Sequence, residues 1–194
     1  MSLIKLKKDQ TVFIGRHGNC IKAENDSERV LSRNGVEATE LVENSLGVLD
    51  FMTATKPLTS PFRKRGVVVT SPAIRVRQTS DILFGKAPIR IIHDDLYNFE
   101  QFPHVNELYQ NKIEDPREYY NADKEAILSF QDRFKNFLMS KDVMSAQYVA
   151  IMSHAIVSNF IAELFTDDSS VMDKMLPESG GFLISKDGVG VITS

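Results

Sequence analysis

The 194-residue chain has a single cysteine, Cys20. One thiol excludes an intrachain disulfide framework, and nothing beside it has CxxC spacing, so Cys20 reads as an incidental thiol. No apolar run approaches the ~20 residues of a helical membrane span, which predicts no membrane partner. The lysine-bearing first ten residues lead into no apolar stretch with a small-residue cleavage site. No secretory signal is therefore expected, and the expected location is cytoplasmic. Excess positive charge is also missing. Lysine and arginine number 23 against 26 acidic residues, a formal charge of −3, so no nucleic-acid surface is expected. Arg63-Lys64-Arg65 is short and reads as a solvated loop. Internal repeats and low-complexity tracts are absent. The histidines His17, His93, His104 and His154 have no ligand-motif spacing, so neither a metal nor a cofactor is expected.

What is present describes an ordinary globular chain, 42% hydrophobic and 25% charged. Its length suits one domain, residues 1–194, with a substantial core. Apolar stretches at 12–15, 67–70, 89–93, 149–153, 182–185 and 189–193 read as strands. Lys186-Asp187-Gly188 marks a hairpin between the last two. The earlier strands are apolar on both faces, as in a mainly parallel sheet covered by helices on both sides. A helix capped by Ser32 runs to about Met52, another starts at Ser71-Pro72, and a third follows Ser153-His154. In the third, Ile156, Val157, Phe160, Ile161 and Leu164 fall on one face as core. A fourth helix spans about 123–139. The fold class is α/β: a three-layer α/β/α sandwich with a mainly parallel central sheet and a C-terminal antiparallel hairpin. Segments 54–61 and 98–117 show no clear periodicity, and the second is long for a plain connection.

Three strand-to-helix junctions carry chemistry: Arg16-His17-Gly18, Ser71-Pro72-Ala73-Ile74-Arg75 and Ser153-His154. If their strands are parallel, all three open on one sheet edge, where ligands bind in open α/β sheets. Guanidiniums grip oxyanions in bidentate fashion, a neutral imidazole can attack phosphorus, and helix N-termini favour anions. Two guanidiniums, two imidazoles and two helix N-termini around one point call for a phosphate. Arg77 competes with Arg75 for the pocket, because the two lie about 200° apart around a helix and only one can face it.

These residues resemble the histidine phosphatase superfamily, the phosphoglycerate mutase-like fold. Phe13-Ile14-Gly15-Arg16-His17-Gly18 resembles its opening strand and signature. Leu31-Ser32-Arg33-Asn34-Gly35-Val36-Glu37-Ala38 resembles the segment that usually reads Leu-Thr-x-x-Gly-x-x-Gln-Ala. Ser71-Pro72-Ala73-Ile74-Arg75-Val76-Arg77-Gln78-Thr79 resembles the Ser-x-x-x-Arg-Ala-x-Gln-Thr helix start, which selects Arg75 over Arg77. Ser153-His154 resembles the second-histidine junction, although Ala155 stands where glycine is common. The resemblance implies His17 as nucleophile, with Arg16, Arg75 and His154 holding phosphoryl oxygens. It implies a metal-independent phosphatase that works through a phosphohistidine enzyme, its partner a phosphorylated protein or small molecule.

The short segment Asp26-Ser27-Glu28-Arg29-Val30-Leu31 and the pair Leu96-Tyr97 are similar to the small bacterial phosphohistidine phosphatases rather than the mutases. Many members carry a general-acid glutamate two residues beyond that leucine; here the position is Asn98. Glu100, Asp94, Asp95 or Glu107 could substitute, with Glu100 preferred. A phosphoramidate needs such an acid less than an alkyl ester does, because its leaving nitrogen takes a proton readily. The competing expectations are a non-catalytic phosphate- or phosphoprotein-binding module and a mutase-type phosphotransferase.

Overall fold

The computed structural model describes residues 3–48, 66–85, 89–97, 99–140 and 143–194. The irregular segment 54–61, the basic cluster at 63–65, the helix end near Met52 and Asn98 lie outside them. The β-branched stretches form β1 (Thr11–Arg16), β2 (Gly66–Thr70), β3 (Ile89–Ile92), β4 (Tyr148–Ser153), β5 (Gly181–Ser185) and β6 (Gly188–Ile192). They make one sheet in the order β3-β2-β4-β1-β5-β6. The first four strands pair in parallel, β5 runs antiparallel to β1, and β6 pairs antiparallel with β5. The hairpin is made at Gly188, whose φ of 140° favours a residue without a side chain.

Side-chain alternation sends the strands' apolar residues to opposite faces. On one face Phe13, Val68, Ala150 and Met152 join Val42 and Leu46 of α1 (Arg33–Val48) and Val76, Leu83 and Phe84 of α2 (Ile74–Phe84). On the other, Val12, Ile14, Val69, Val149 and Ile151 meet helices that follow later in the chain. The described residues thus form a three-layer sandwich with helices on both sides of the sheet, as the sequence led us to expect.

Three local readings differ. Ser71 does not cap α2; Ala73 does. The Ser71 N–H donates to Met152 O at 3.0 Å, which prolongs the β2–β4 ladder and delays the helix. The restriction that a following proline imposes also keeps Ser71 extended. The described part of segment 98–117, residues 99–117, is not irregular. It holds a 3₁₀ turn at Phe99–Gln101, α3 (Val105–Gln110) and the start of α4 (Pro116–Ala122), capped by Asp115. Helices this short show too few turns for a periodic stripe. They are pinned instead, by Tyr119 OH donating to Ile113 O and by the buried Asp123 carboxylate accepting from the His104 N–H.

The fourth predicted helix is α5 (Lys124–Ser140), with Ile127, Phe130, Phe134 and Leu138 buried. The third is α6 (Ala155–Ala162), and it is buried on every side rather than along one face. It packs on β1 and β4 and is covered by α4, α5 and the 3₁₀ turn at Ser169–Met172. Its polar members are therefore bonded inward: Ser158 Oγ donates to Gly15 O at 3.1 Å, and Asn159 Nδ2 to Val171 O at 2.6 Å.

Candidate active site

Parallel pairing of β1, β2 and β4 brings their C-terminal ends level, with Arg16 opposite Ser153 and Thr70 opposite Met152. The three junctions thus meet. The turn after β1 is seated by α2: the Gly18 N–H donates to Thr79 Oγ1 at 3.1 Å, and Thr79 donates to Arg75 O. A Cβ on Gly18 would lie 2.8 Å from Gly35 O and from Ser179 Oγ, so only glycine allows the turn to sit this close to α1. Gln78 Oε1 accepts from the Leu31 N–H at 2.8 Å and ties the following segment to the same helix.

Arg75 is the centre of the site. It is 3% exposed, whereas Arg77 faces solvent. One edge of its guanidinium serves both imidazoles. Nε donates to His17 Nε2 at 3.2 Å and Nη2 to His154 Nδ1 at 3.3 Å, with the rings 5.1 Å apart. The other edge serves Asp26: Nη1 donates to its backbone carbonyl and Nη2 to Oδ2 at 2.7 Å.

These contacts fix the tautomers, because a guanidinium only donates and a carbonyl only accepts. His17 Nδ1–H donates to Gly18 O at 2.7 Å, so its Nε2 carries the lone pair. His154 accepts at Nδ1 and donates from Nε2 to Ser71 Oγ at 3.1 Å. Both rings are neutral. Burial, reinforced by Arg75 and Arg16, lowers the His17 pKa to about 3. Burial, His17, Arg75 and Arg16 push His154 well below the ordinary range as well.

Arg16 lines the same cavity without bonding to either ring. Its Nη1 donates to Leu176 O at 2.6 Å, Nη2 lies 3.8 Å from Glu178, and its buried Nε has no partner among the described residues. The cavity, about 220 Å³, joins these groups to Asp26, Arg29 and Glu178 and to an apolar wall that includes Phe99, Val105 and Tyr109. A guanidinium pair, an unprotonated imidazole nitrogen and this volume suit a phosphoryl group with a compact substituent.

All four residues expected from the sequence, Arg16, His17, Arg75 and His154, line this cavity. The expected acids do not. Glu100 and Glu107 are exposed, and Asp95 pairs with Arg133 at 3.4 Å. None of these, nor Asp94, lines the cavity; among the described residues the carboxylates that do are Asp26 and Glu178. His93 lies against the rings of Phe134 and Phe137, and His104 bonds to Asp123 at 2.7 Å, so the four histidines do not converge. Sequence reasoning missed Asp26, Arg29 and the hydroxyl of Ser71. A carboxylate inside the short β1–α1 segment, next to a signature rich in cations, was the available signal.

The neutral imidazoles set a pH dependence. The unfolded chain protonates histidine near pH 6.5, while folded His17 resists protonation down to about 3. The unfolded state therefore binds more protons between these values, and stability falls as pH falls through that window. His17 alone costs about 2 kcal/mol at pH 5 relative to pH 7.5. Urea unfolding at the two pH values measures this, and equal stabilities would contradict the neutral buried pair.

No protein-family model matches the chain, and no curated protein sequence does. Solved structures do. The protein histidine phosphatase SixA complexed with tungstate superposes with a TM-score of 0.57 at 15% identity, covering 95% of this chain and 97% of that one. The alpha-ribazole phosphatase from Shigella flexneri gives 0.54 at 16% identity, with 95% and 96% covered. Phosphoserine phosphatase in complex with 3-phosphoglyceric acid, from Entamoeba histolytica, gives 0.54 at 12%, with 95% and 97% covered. The chain shares the fold of these three solved structures.

Proposed function

We propose that this chain is a metal-independent phosphatase of the histidine type, acting as a single domain in the cytoplasm. His17 Nε2 forms a bond to phosphorus as the bond to the leaving group breaks, giving a phosphohistidine enzyme. Water then attacks phosphorus, His17 Nε2 departs with its lone pair, and inorganic phosphate is released. The carrying observation is the buried Arg75 guanidinium holding two neutral imidazoles, with His17 presenting an unprotonated Nε2 in a cation-lined cavity. Phosphoryl transfer requires mainly positioning and stabilisation of oxygen charge. Arg16, Arg75 and His154 are the groups that would supply both.

A phosphorylated protein or small phosphate compound is the substrate class, with labile phosphates favoured over alkyl esters. Both cavity carboxylates face guanidiniums, at 2.7 Å for Asp26 and 3.8 Å for Glu178. Hydrogen bonds from Arg29 and Arg75 outweigh burial and hold Asp26 below the usual carboxylate range. An ionised carboxylate is a poor proton donor to a departing alkoxide.

Rapid quench with a ³²P-labelled phosphohistidine protein and with p-nitrophenyl phosphate tests the reading. Acid-labile, base-stable label on the His17 peptide is the expected result. Turnover without such label would overturn the nucleophile assignment. Phosphate binding without turnover would mark a binding module.

A further inference from the structure

We infer that Asp26 is an internal ligand of the phosphate site, an affinity-determining carboxylate that substrate displaces and that returns as product leaves. This rests on the reading of the cavity as a phosphate site. Asp26 meets Arg75 as a phosphoryl group would, with two oxygens on one guanidinium edge: its own carbonyl on Nη1 and Oδ2 on Nη2. The remaining acceptors are filled by Tyr97 OH, 3.1 Å from Oδ2, and by Arg29 Nη1, 3.0 Å from Oδ1. Two guanidiniums and a phenol are thus gathered on one carboxylate at the mouth of the nucleophile's cavity.

The arrangement answers a need of Arg75. A guanidinium this deeply buried is costly without an anionic partner. His17 and His154 are neutral and cannot neutralise it, so an anion is needed on its outer edge whether or not substrate is present. Asp26 supplies one when the cavity is empty. Its attachment is suited to exchange. It sits in the 3₁₀ turn Asp26–Glu28, none of whose residues is buried, so the turn can withdraw without opening the core. The incoming phosphate competes with a carboxylate tethered at high effective concentration, which weakens its apparent affinity. The same competition expels inorganic phosphate at the end of a cycle.

Asp26→Asn keeps the shape and removes the charge. Calorimetric titration with inorganic phosphate is expected to show binding about tenfold tighter, or more, than in the wild type. With p-nitrophenyl phosphate, KM and the phosphate inhibition constant should fall together, and kcat should fall as product release becomes limiting. A merely structural carboxylate would not tighten phosphate binding, so equal or weaker binding by the folded variant overturns the proposal. The wild type provides a second measurement, independent of how the variant folds: its crystal structure with tungstate. Oxyanion oxygens on Arg75 with Asp26 withdrawn support the exchange, and tungstate bound with Asp26 still on Arg75 Nη2 overturns it. Failure of both wild type and variant to bind either anion would overturn the phosphate site itself, along with this inference.

Discussion

On the proposed mechanism, His17→Asn is expected to abolish turnover while leaving the anion site in place. The amide N–H of the shorter side chain can take over the bond that His17 Nδ1 makes to Gly18 O, so the turn after β1 retains its main local tie. What disappears is Nε2, the atom proposed to bond to phosphorus. Loss of a covalent nucleophile typically removes almost all of the chemical acceleration, and kcat is expected to fall by about 10⁴-fold or more. Phosphate affinity, measured by calorimetry, should stay within a few-fold of wild type, because Arg16, Arg75 and His154 remain. That split between turnover and binding is the diagnostic. A variant that hydrolyses p-nitrophenyl phosphate at about a tenth of the wild-type rate would mean that another group attacks.

Arg75→Lys carries the second large effect. Lysine keeps the charge but cannot place parallel donors along two edges at once. The variant leaves His17 Nε2 and His154 Nδ1 without a shared partner and loosens the Asp26 clamp. Removing a single preorganised donor to transition-state charge costs about 10²–10³ in kcat. Losing the orientation of the nucleophile as well should bring kcat/KM down by about 10³-fold or more. Arg77→Lys, on the exposed side of the same helix, should change kcat/KM by less than about twofold. Similar losses at both positions would contradict the assignment of Arg75.

The centre of the sheet was legible because β2 and β4 are buried on both faces, so Val67-Val68-Val69 and Val149-Ala150-Ile151 carry no polar interruption to confuse the reading. The junction residues were legible because parallel strands must end together, which turns three distant motifs into one place. Ser71 misled for a physical reason. A serine before a proline is a good cap in isolation, but here β4 claims its backbone and His154 its hydroxyl. The carboxylates at the cavity were not legible at all. The sequence pattern points to the loop after β3 for the acid, with Glu100 preferred, whereas the carboxylates at the cavity come from the segment after β1 and the approach to β5, far away along the chain. Contacts of that kind are set by how loops fold over a sheet edge, and no local pattern encodes them.

The complete burial of α6 has a consequence for hydrogen exchange. Its amides lie between the sheet and a second layer of helices, so they can exchange only when much of the domain opens. His154 caps that helix and shares its insulation. The 3₁₀ turn bearing Asp26 has no buried residue, and its amides should exchange through small, frequent openings. The two sides of one guanidinium therefore report on opposite ends of the protection scale. A ligand that replaces Asp26 would change exchange in residues 19–30 and leave α6 as slow as before.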